Sequence, residues 1–194
     1  MLILLNGSFG VGKSTVARLL RSSICGSAVY DPEWAGSILM RLPQWVNLKG
    51  TGTTDFQDID LWRKLTIQGV RLVDRTLRRT VIVPMTFDRT DYFEEVVTGL
   101  RRFDPDIRIF CLKANFATIR ARLGRRGVKN AEEAQWLERR ILECEKAHRS
   151  QLFGEPIETG NHTPQEVADV ILAMGLADIS PKSRRARRVI RKDL

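Results

Sequence analysis

The chain has 194 residues and a formal net charge of +9. Its length suits one α/β domain with a sizeable core. No apolar run approaches the ~20 residues that cross a bilayer, which argues against a membrane-spanning protein. The three cysteines lack the spacing of metal ligands, which argues against a zinc module and favours a reducing compartment, so we expect a cytoplasmic location.

The first twenty residues carry the strongest motif of the sequence. Leu2 to Leu5 form a continuous apolar run, as a strand buried on both faces would. Residues 7–14 then fit the pattern G-x-x-x-x-G-K-[ST], and apolar residues recur at helical spacing after Ser14. The order strand, glycine loop, helix is the context that a phosphate-binding P-loop requires, and it disfavours a glycine-rich turn that matches by chance.

Each residue type in this loop suits phosphate binding. Glycines let the backbone approach phosphate oxygens, the loop N–H groups form an anion nest, and the following helix adds its positive end. Lys13 would place its charge on the β- and γ-phosphates, and the Ser14 hydroxyl would bind Mg²⁺. We therefore predict that ATP and Mg²⁺ bind here, in contact with Gly7, Ser8, Phe9, Gly10, Val11, Gly12, Lys13, Ser14 and Thr15.

Predicted strands alternate with predicted helices along the rest of the chain. Strands are expected at 28–30, 80–83, 107–112 and 156–159, and helices at about 32–42, 55–79, 91–102, 118–123, 131–149 and 164–176. This alternation predicts a parallel sheet with helices on both faces. Ligands of such sheets bind outside the carboxyl ends of the strands, so the residues that follow each strand are the site candidates.

Asp31 follows the second strand and would face the phosphate end of the site. It could act as a general base toward an acceptor hydroxyl or bind Mg²⁺ through water. It could equally cap the helix that starts at Pro32, and these roles are compatible. Pro84 follows the third strand at the place where a conventional Walker B motif has an acid. Metal binding would therefore depend on Ser14, water and a more distant carboxylate, such as Asp31 or Asp88.

A basic segment follows the fourth strand, and we interpret residues 122–140 as a lid that closes over ATP. Arg122 and Arg126 would stabilise charge on the transferred phosphoryl group, and Arg125 would contact the nucleotide. The alternative is a solvated basic loop. Arg139 and Arg140, further along the same segment, are second candidates.

The region between the second and third strands, about residues 34–66, is the predicted acceptor-binding insertion. Trp34 or Trp62 could stack on a base, and Arg41 or Arg63 could hold a phosphate or a carbonyl group. Trp62 lies on an apolar helical stripe, so a place in the core explains it better.

Four more polar residues lie near the ends of predicted elements. Arg89 follows the third strand and is a candidate for acceptor contact, although a surface turn explains it nearly as well. Asn161 follows the last strand, and we assign it to the nucleotide. His148 and His162 have no visible catalytic partners, so we expect both on the surface.

The last residues, 179–194, form a basic tail that follows the domain predicted over residues 1–178. Seven basic residues and Asp193 give this tail +6 of the net charge, which leaves +3 for the rest. Such a segment could lie on an anionic membrane surface or contact nucleic-acid phosphates. The alternative is a disordered, solvated tail.

Several segments together resemble one known family. They are LLNGSFGVGKS at the P-loop, VYDPEWAG after the second strand, DFQDIDLWRKL, VIVPMTFDRTDYFEEV at the third strand, and PIETGNHTPQEVADVI. Over residues 1–178 the chain resembles the tunicamycin-resistance protein family, within the P-loop nucleoside and nucleotide kinase-like group. The resemblance implies a three-layer α/β/α fold with a five-stranded parallel sheet of order 2-3-1-4-5, an acceptor-binding insertion and an arginine-bearing lid.

Three functional hypotheses follow. The first is a small-molecule kinase that transfers the γ-phosphate of ATP to a nucleoside-like acceptor, with tunicamycin, a nucleoside antibiotic, among the candidates. The second is an ATP-dependent protein that sequesters tunicamycin without chemistry, as the missing Walker B acid suggests. The third and weakest is a nucleic-acid end kinase, suggested only by the basic tail; nucleic acid is not the partner we expect.

Overall fold

The computed structural model of the protein describes residues 1–39, 55–77, 80–127 and 130–177. Its centre is a five-stranded, all-parallel sheet with the strand order β2-β3-β1-β4-β5. The strands are Leu2–Gly7 (β1), Ala28–Val29 (β2), Val81–Pro84 (β3), Arg108–Lys113 (β4) and Glu155–Glu158 (β5). The predicted sheet and its strand order are confirmed.

Seven helices connect and follow these strands in the described residues. They are Lys13–Ser23 (α1), Pro32–Leu39 (α2), Asp60–Leu77 (α3), Thr90–Arg101 (α4), Phe116–Arg126 (α5), Ala131–Ala147 (α6) and Pro164–Ala177 (α7). The helix predicted over 55–79 begins five residues later than expected, at Asp60. A 3-10 turn, Phe56–Asp58, precedes it, because the Asp55 carboxylate accepts a hydrogen bond from the Gln57 amide at 2.9 Å and holds the turn.

Two apolar cores cover the two faces of the sheet. Leu2 and Leu4 of β1 pack into the core beneath α3 and α4, whereas Ile3 and Leu5 pack into the core beneath α1 and α7. This double burial explains why β1 is a continuous apolar run rather than an alternating pattern. Each fully buried side chain of this kind contributes about 1.5–3 kcal/mol. β1 is therefore a rigid base for the loop that follows it.

Trp62 belongs to the core, as interpreted from its apolar stripe. Its side chain is 1% exposed, and its indole N–H donates to the carbonyl oxygen of Pro32 at 2.9 Å. This bond ties α3 to the first turn of α2. It fixes the position of the segment that begins at Asp31, at the carboxyl end of β2.

Some expectations lie outside the described residues. They concern Arg41, residues 40–54 of the predicted insertion, and the basic tail. Within the described residues, no helix is long and apolar enough to cross a membrane.

Candidate nucleotide-binding and acceptor-binding site

The loop after β1 has the backbone conformation that its glycines were expected to provide. Gly7 has a φ of 149°, and a Cβ there would lie 2.7 Å from the carbonyl oxygen of Leu112. Gly12 has a φ of 114° and is the N-cap of α1. Side chains other than glycine rarely adopt such φ values, so the loop depends on these two residues. The fold thereby brings the loop N–H groups and the positive end of α1 to one place.

Lys13 lies at the centre of this loop. Its side chain is buried, and its ammonium donates to the carbonyl oxygens of Gly7 at 2.9 Å and Ser8 at 3.0 Å. Burial lowers the pKa of Lys13, and the Glu33 carboxylate is the strongest of the charges that oppose this shift. Among the described residues, Lys13 has no ion-pair partner. A buried cation without a partner suits an anionic ligand, because the ligand would compensate the charge.

The donors around Lys13 fit Mg-ATP. Ser14 is exposed in the first turn of α1, and Thr15 is half-buried beside it. The hydroxyl of Ser14 and the carboxylates of Asp31 and Glu33 are hard oxygen ligands of the kind that Mg²⁺ prefers. Mg²⁺ usually takes only one or two protein ligands together with substrate phosphates and water, so this donor set suffices.

Asp31 caps α2, which was one of its two predicted roles. Its Oδ1 accepts a hydrogen bond from the Glu33 amide at 3.0 Å. Desolvation raises the pKa of Asp31, and the nearby Glu33 carboxylate raises it further. The second predicted role, toward an acceptor hydroxyl or a metal, stays a prediction.

Glu33 is a site residue that sequence reasoning missed. It is half-buried in the first turn of α2, and its Oε1 accepts a hydrogen bond from the Thr86 hydroxyl at 2.8 Å. Thr86 follows β3, so the contact joins the carboxyl ends of two neighbouring strands. The sequence signal was a Glu in a helix first turn, which the helix dipole explains equally well without a site.

Arg122 forms hydrogen bonds that support the backbone of the P-loop. Its guanidinium donates to the carbonyl oxygen of Val11 at 3.1 Å, and to the hydroxyl and carbonyl oxygens of Thr159 at 3.1 and 2.6 Å. The Thr159 hydroxyl also donates to Val11 at 3.1 Å. These bonds connect the P-loop to the end of β5. They give Arg122 a positioning role, and its contact with a phosphoryl group stays a prediction.

The other basic residues of the lid lie in the last turn of α5. Arg125 and Arg126 are both exposed, and the charge of Arg126 contributes to the lowered pKa of Lys13. Arg126 is therefore close enough to Lys13 to act on its charge, although the two side chains are not bonded in the described residues. Asn161 is exposed in the turn between β5 and α7.

Helix α6 covers the P-loop through an aromatic contact. The rings of Phe9 and Trp136 are 5.3 Å apart between centroids, at an interplanar angle of 60°. The Asn130 side chain caps this helix by accepting from the Glu133 amide at 2.8 Å. Trp136 lies within the helix predicted over 131–149 and was not among the predicted site residues. In the structure its ring contacts Phe9, so α6, in the predicted lid, packs against the P-loop.

Arg140 connects α6 to the opposite wall of the cleft. Its guanidinium forms ion pairs with Asp88 at 2.6 Å, Asp55 at 2.7 Å and Glu143 at 3.0 Å. Burial would lower the pKa of Arg140, but the carboxylates of Asp88 and Asp55 outweigh it and raise the pKa. Burial also raises the pKa of Asp55. Asp88, a candidate metal carboxylate, is therefore occupied by Arg140.

A cavity of about 680 Å³ lies between α6 and the start of α4, and we name it the acceptor cavity. Its lining is mixed in charge and includes three aromatic rings, those of Tyr92, Trp136 and Phe153. The lining includes the charged residues Asp55, Asp58, Asp88, Arg89 and Arg140, together with Tyr92 and Trp136. Because Trp136 also contacts Phe9, the cavity adjoins the P-loop.

The predicted acceptor residues have different positions relative to this cavity. Arg89 borders it and pairs with Asp91 at 2.7 Å. Arg63 is buried, bonding to Glu95 at 2.5 Å and to the Gln57 carbonyl at 2.6 Å, and it lies outside the described lining. Trp34 is 70% exposed and also lies outside that lining. Arg63 therefore has a structural role, and acceptor contact by these residues stays a prediction.

The expectation that His148 is a surface residue is wrong. Its side chain is 5% exposed, and its Nε2 lies 2.6 Å from the carbonyl oxygen of Phe87, which requires the proton on Nε2. The Phe87 amide in turn donates to Asn6 Oδ1 at 2.8 Å. Burial lowers the pKa of His148. This cluster ties the end of β1, the loop after β3 and the end of α6 together. His162 is exposed, as expected.

The sequence matches the family model described as AAA domain over residues 2–149. The chain belongs to this AAA domain family. The structure is similar to the tunicamycin resistance protein of Deinococcus radiodurans, with a TM-score of 0.68 and 25% identity, over 89% of this chain and 94% of that one. The resemblance seen in the sequence is thereby confirmed. No curated protein matches the chain.

Kinases are among the solved structures that share the fold, and two of them serve as examples. One is the shikimate kinase of Acinetobacter baumannii, with a TM-score of 0.59, 16% identity, and coverage of 92% of this chain and 94% of that one. The other is a gluconokinase of Sinorhizobium meliloti 1021, with a TM-score of 0.60, 19% identity, and coverage of 90% of both chains. This member of the AAA domain family therefore has a P-loop kinase-like fold, which generally implies binding of a nucleotide and a divalent metal.

Proposed function

We propose that this protein is a small-molecule kinase that transfers the γ-phosphoryl group of Mg-ATP to a hydroxyl of a nucleoside-like acceptor. One observation carries the proposal: the acceptor cavity adjoins the P-loop at the carboxyl edge of the sheet, and Trp136 borders both. Two ligands can therefore bind side by side. That arrangement suits direct transfer between them and exclusion of water by α6.

The chemistry divides among few residues. The P-loop amides, the Lys13 ammonium and Arg126 hold the phosphates and stabilise the charge of the transferred group. The Ser14 hydroxyl and the nearby carboxylates of Asp31 and Glu33 would hold Mg²⁺, which would supply positive charge to neutralise the charge that develops on the phosphates. The bond from the γ-phosphorus to the bridging oxygen breaks, a bond to the acceptor oxygen forms, and ADP leaves. Asp31 orients the acceptor hydroxyl and takes its proton.

The remaining roles are proposals for binding. Arg122 and Arg125 would support the nucleotide from the lid, and Asn161, exposed in the turn after β5, would contact the nucleotide. Acceptor contacts are proposed for Trp34, Arg41 and Arg89, whereas Arg63 would act indirectly, by positioning Gln57 in the cavity wall. The cavity adds Tyr92 and Trp136 as rings for stacking.

The charges of the acceptor cavity favour an uncharged acceptor. Arg140 is surrounded by Asp55, Asp88 and Glu143, and Arg89 pairs with Asp91. A phosphate or carboxylate on the acceptor would have to displace these partners. This supports nucleosides over nucleotides. Tunicamycin is the first drug to test, because a similar structure is that of a tunicamycin resistance protein.

The test is incubation of the protein with labelled ATP and a panel of nucleosides, nucleotides and tunicamycin, followed by mass analysis of the products. We expect one phosphoryl group added to an uncharged nucleoside-like compound. The Asp31→Asn variant should lose transfer while it retains ATP binding. If ATP binds and no compound is phosphorylated, the protein is not a kinase of these acceptors.

A second candidate function is ATP-dependent sequestration of tunicamycin without chemistry. The observation in its favour is the end of β3, where Pro84 pairs with Leu5 and no acid follows directly. Calorimetry would then show drug binding that ATP strengthens, while product analysis finds the drug unchanged. Detection of phosphorylated drug would reject this candidate.

A further inference from the structure

The contact between Glu33 and Thr86 lies where a P-loop enzyme needs a carboxylate. β3 runs parallel to β1 with Pro84 beside Leu5, so the residues after Pro84 lie next to the P-loop that follows β1. In P-loop enzymes an acid at this strand end helps to hold Mg²⁺. Here the strand end presents Thr86, a buried hydroxyl. Thr86 donates to Glu33, so it brings an acid from α2 to this edge.

The other nearby carboxylates already have structural partners. Oδ1 of Asp31 accepts from the backbone amide of Glu33 at 3.0 Å and caps α2. Asp88 is 8% exposed and pairs with Arg140 at 2.6 Å. Only one oxygen of Glu33 is used by Thr86, and in the described part of the chain no donor contacts the other one, Oε2. Oε2 of Glu33 is therefore available to accept a hydrogen bond from a metal-bound water.

The charge environment of Glu33 agrees with this assignment. Its carboxylate is the strongest favourable charge acting on Lys13, whose ammonium marks the phosphate position in the loop. Phosphates bound at the Lys13 ammonium would be repelled by the Glu33 carboxylate unless a cation compensated the charge. Mg²⁺ coordinated by Ser14 and the phosphates would fill that place.

We propose that Glu33 holds the Mg²⁺ of Mg-ATP through a metal-bound water, and that Thr86 is the positioning residue that fixes the Glu33 carboxylate. The pair thus replaces the acid that is missing after β3. This inference rests on the proposed binding of Mg-ATP, but not on phosphoryl transfer. It would hold for a kinase and for a protein that sequesters the drug.

The experiment measures nucleotide binding without any acceptor. Isothermal titration gives the affinity for ATP with Mg²⁺ and with EDTA, and electron paramagnetic resonance gives the affinity of Mn²⁺ for the protein–ATP complex. Loss of a residue that orients a metal shell typically weakens metal binding by about 10–100-fold. We expect Glu33→Gln and Glu33→Ala to weaken Mn²⁺ binding by about tenfold or more, with ATP affinity in EDTA unchanged or higher.

Variants of Thr86 test the positioning role, and a variant of a remote glutamate serves as the control. Thr86→Val should weaken Mn²⁺ binding in the same direction but less, and Thr86→Ser, which keeps the hydroxyl, should restore it. Glu155→Gln is the matched control, because Glu155 is exposed at the opposite end of the sheet, where β5 begins. Thermal unfolding of each variant verifies that it is folded.

Three results would overturn the inference. Mn²⁺ binding to folded Glu33→Ala could equal that of the wild type. The variant could bind Mn²⁺ normally and lose only phosphoryl transfer, which would place Glu33 on the acceptor. Thr86→Ser could fail to restore what Thr86→Val loses, so that the hydroxyl has no part. Absence of ATP binding in the wild type would instead reject the proposed function itself.

Discussion

The phosphate-binding half of the cleft is one continuous stretch, from β1 through the P-loop to α1, whereas the acceptor half draws on separate segments. These are the 3-10 turn before α3, the loop after β3, and α6. The first half contains a buried cation, Lys13, without an ion pair in the described residues. In the second half the buried or bordering arginines, such as Arg89 and Arg140, are paired with carboxylates.

This difference in charge pairing indicates which kind of ligand each half would favour. A half with an uncompensated cation gains most from a highly charged anion such as a triphosphate. A half whose charges already compensate one another gains little from a charged ligand and selects by shape, stacking and hydrogen bonds. Substitutions at three places should break this contrast, with effects that decrease in the order Lys13, Arg140 and His148. His148 belongs to the cluster of Asn6, Phe87 and His148, which lies between the halves.

The largest effect is expected from Lys13→Met. The variant should lose about 100-fold or more in ATP affinity, ~3 kcal/mol, because a buried charged contact to the phosphates is removed. Stability without nucleotide should be unchanged or higher, because an apolar side chain replaces a buried, unpaired ammonium. Calorimetry with ATP and thermal unfolding without it measure the two effects.

Lys64→Met is the control for that substitution. Lys64 is exposed on α3 and pairs with Asp60 at 2.7 Å on the surface, so its loss should change neither ATP affinity nor stability appreciably. If Lys13→Met destabilises the nucleotide-free protein as much as it weakens binding, the ammonium holds the loop together, and the contrast between the halves fails.

The next effect is expected from Arg140→Met in the acceptor half. Arg140 is 14% exposed, and its loss leaves Asp55 and Asp88 partly buried without their cation. We expect a loss of about 2 kcal/mol in the free energy of unfolding at pH 7, less than for a fully buried pair. Urea unfolding measures it. Arg120→Met removes an exposed pair with Glu138 and should cost about 0.5 kcal/mol or less.

The pH dependence of this loss has a definite sign. Burial already raises the folded-state pKa of Asp55, and removal of Arg140 would raise it further. A carboxyl whose folded pKa exceeds its unfolded value binds more protons in the folded state. The variant therefore regains stability relative to the wild type as the pH falls through that raised pKa. A difference that stays constant from pH 7 to pH 4 would show that packing, not charge, causes the loss.

Local pattern was enough to predict the strand, glycine loop and helix that begin the chain, whereas the order of the sheet was implied by the family resemblance. The apolar run of β1, the glycine spacing and the position of Lys13 all lie within a few residues of one another, so the backbone conformation follows from them. Trp62 was assigned to the core because helical periodicity records which face is buried. The limits of α3 were less accurate, since a single side-chain bond from Asp55 converts its first turn to a 3-10 turn.

The acceptor half could not be predicted in the same way, because its contacts join residues that are far apart in sequence. Glu33 and Thr86 are 53 residues apart, and Arg140 and Asp88 are 52 apart. Neither helical periodicity nor a short motif indicates that residues so far apart in sequence are in contact. The sequence indicated polar residues after strands, but only the packing of α6 and α2 decides which of them meet.

The smallest effect is expected at His148, in the cluster of Asn6, Phe87 and His148 between the halves. Burial lowers its pKa below the unfolded value of about 6.5, with Lys113 and Lys13 adding to the shift and Asp88 opposing it. The folded state therefore binds fewer protons than the unfolded state between these two pKa values. The stability that His148 contributes is complete above pH ~6.5 and is lost as the pH falls through the folded pKa.

His148→Gln should remove this acid-side loss. At pH 8 the variant should be less stable by about 1 kcal/mol, because the hydrogen bond to the Phe87 carbonyl is weakened, and this deficit should shrink as the pH falls from 7 to 5. His162→Gln is the matched control, because His162 is exposed. The measurement is urea unfolding across this pH range. The assignment is contradicted if the difference in unfolding free energy between His148→Gln and the wild type does not change with pH, as is expected for His162→Gln. In that case the cluster of Asn6, Phe87 and His148 would join the halves by packing alone, without a charge that acid can introduce.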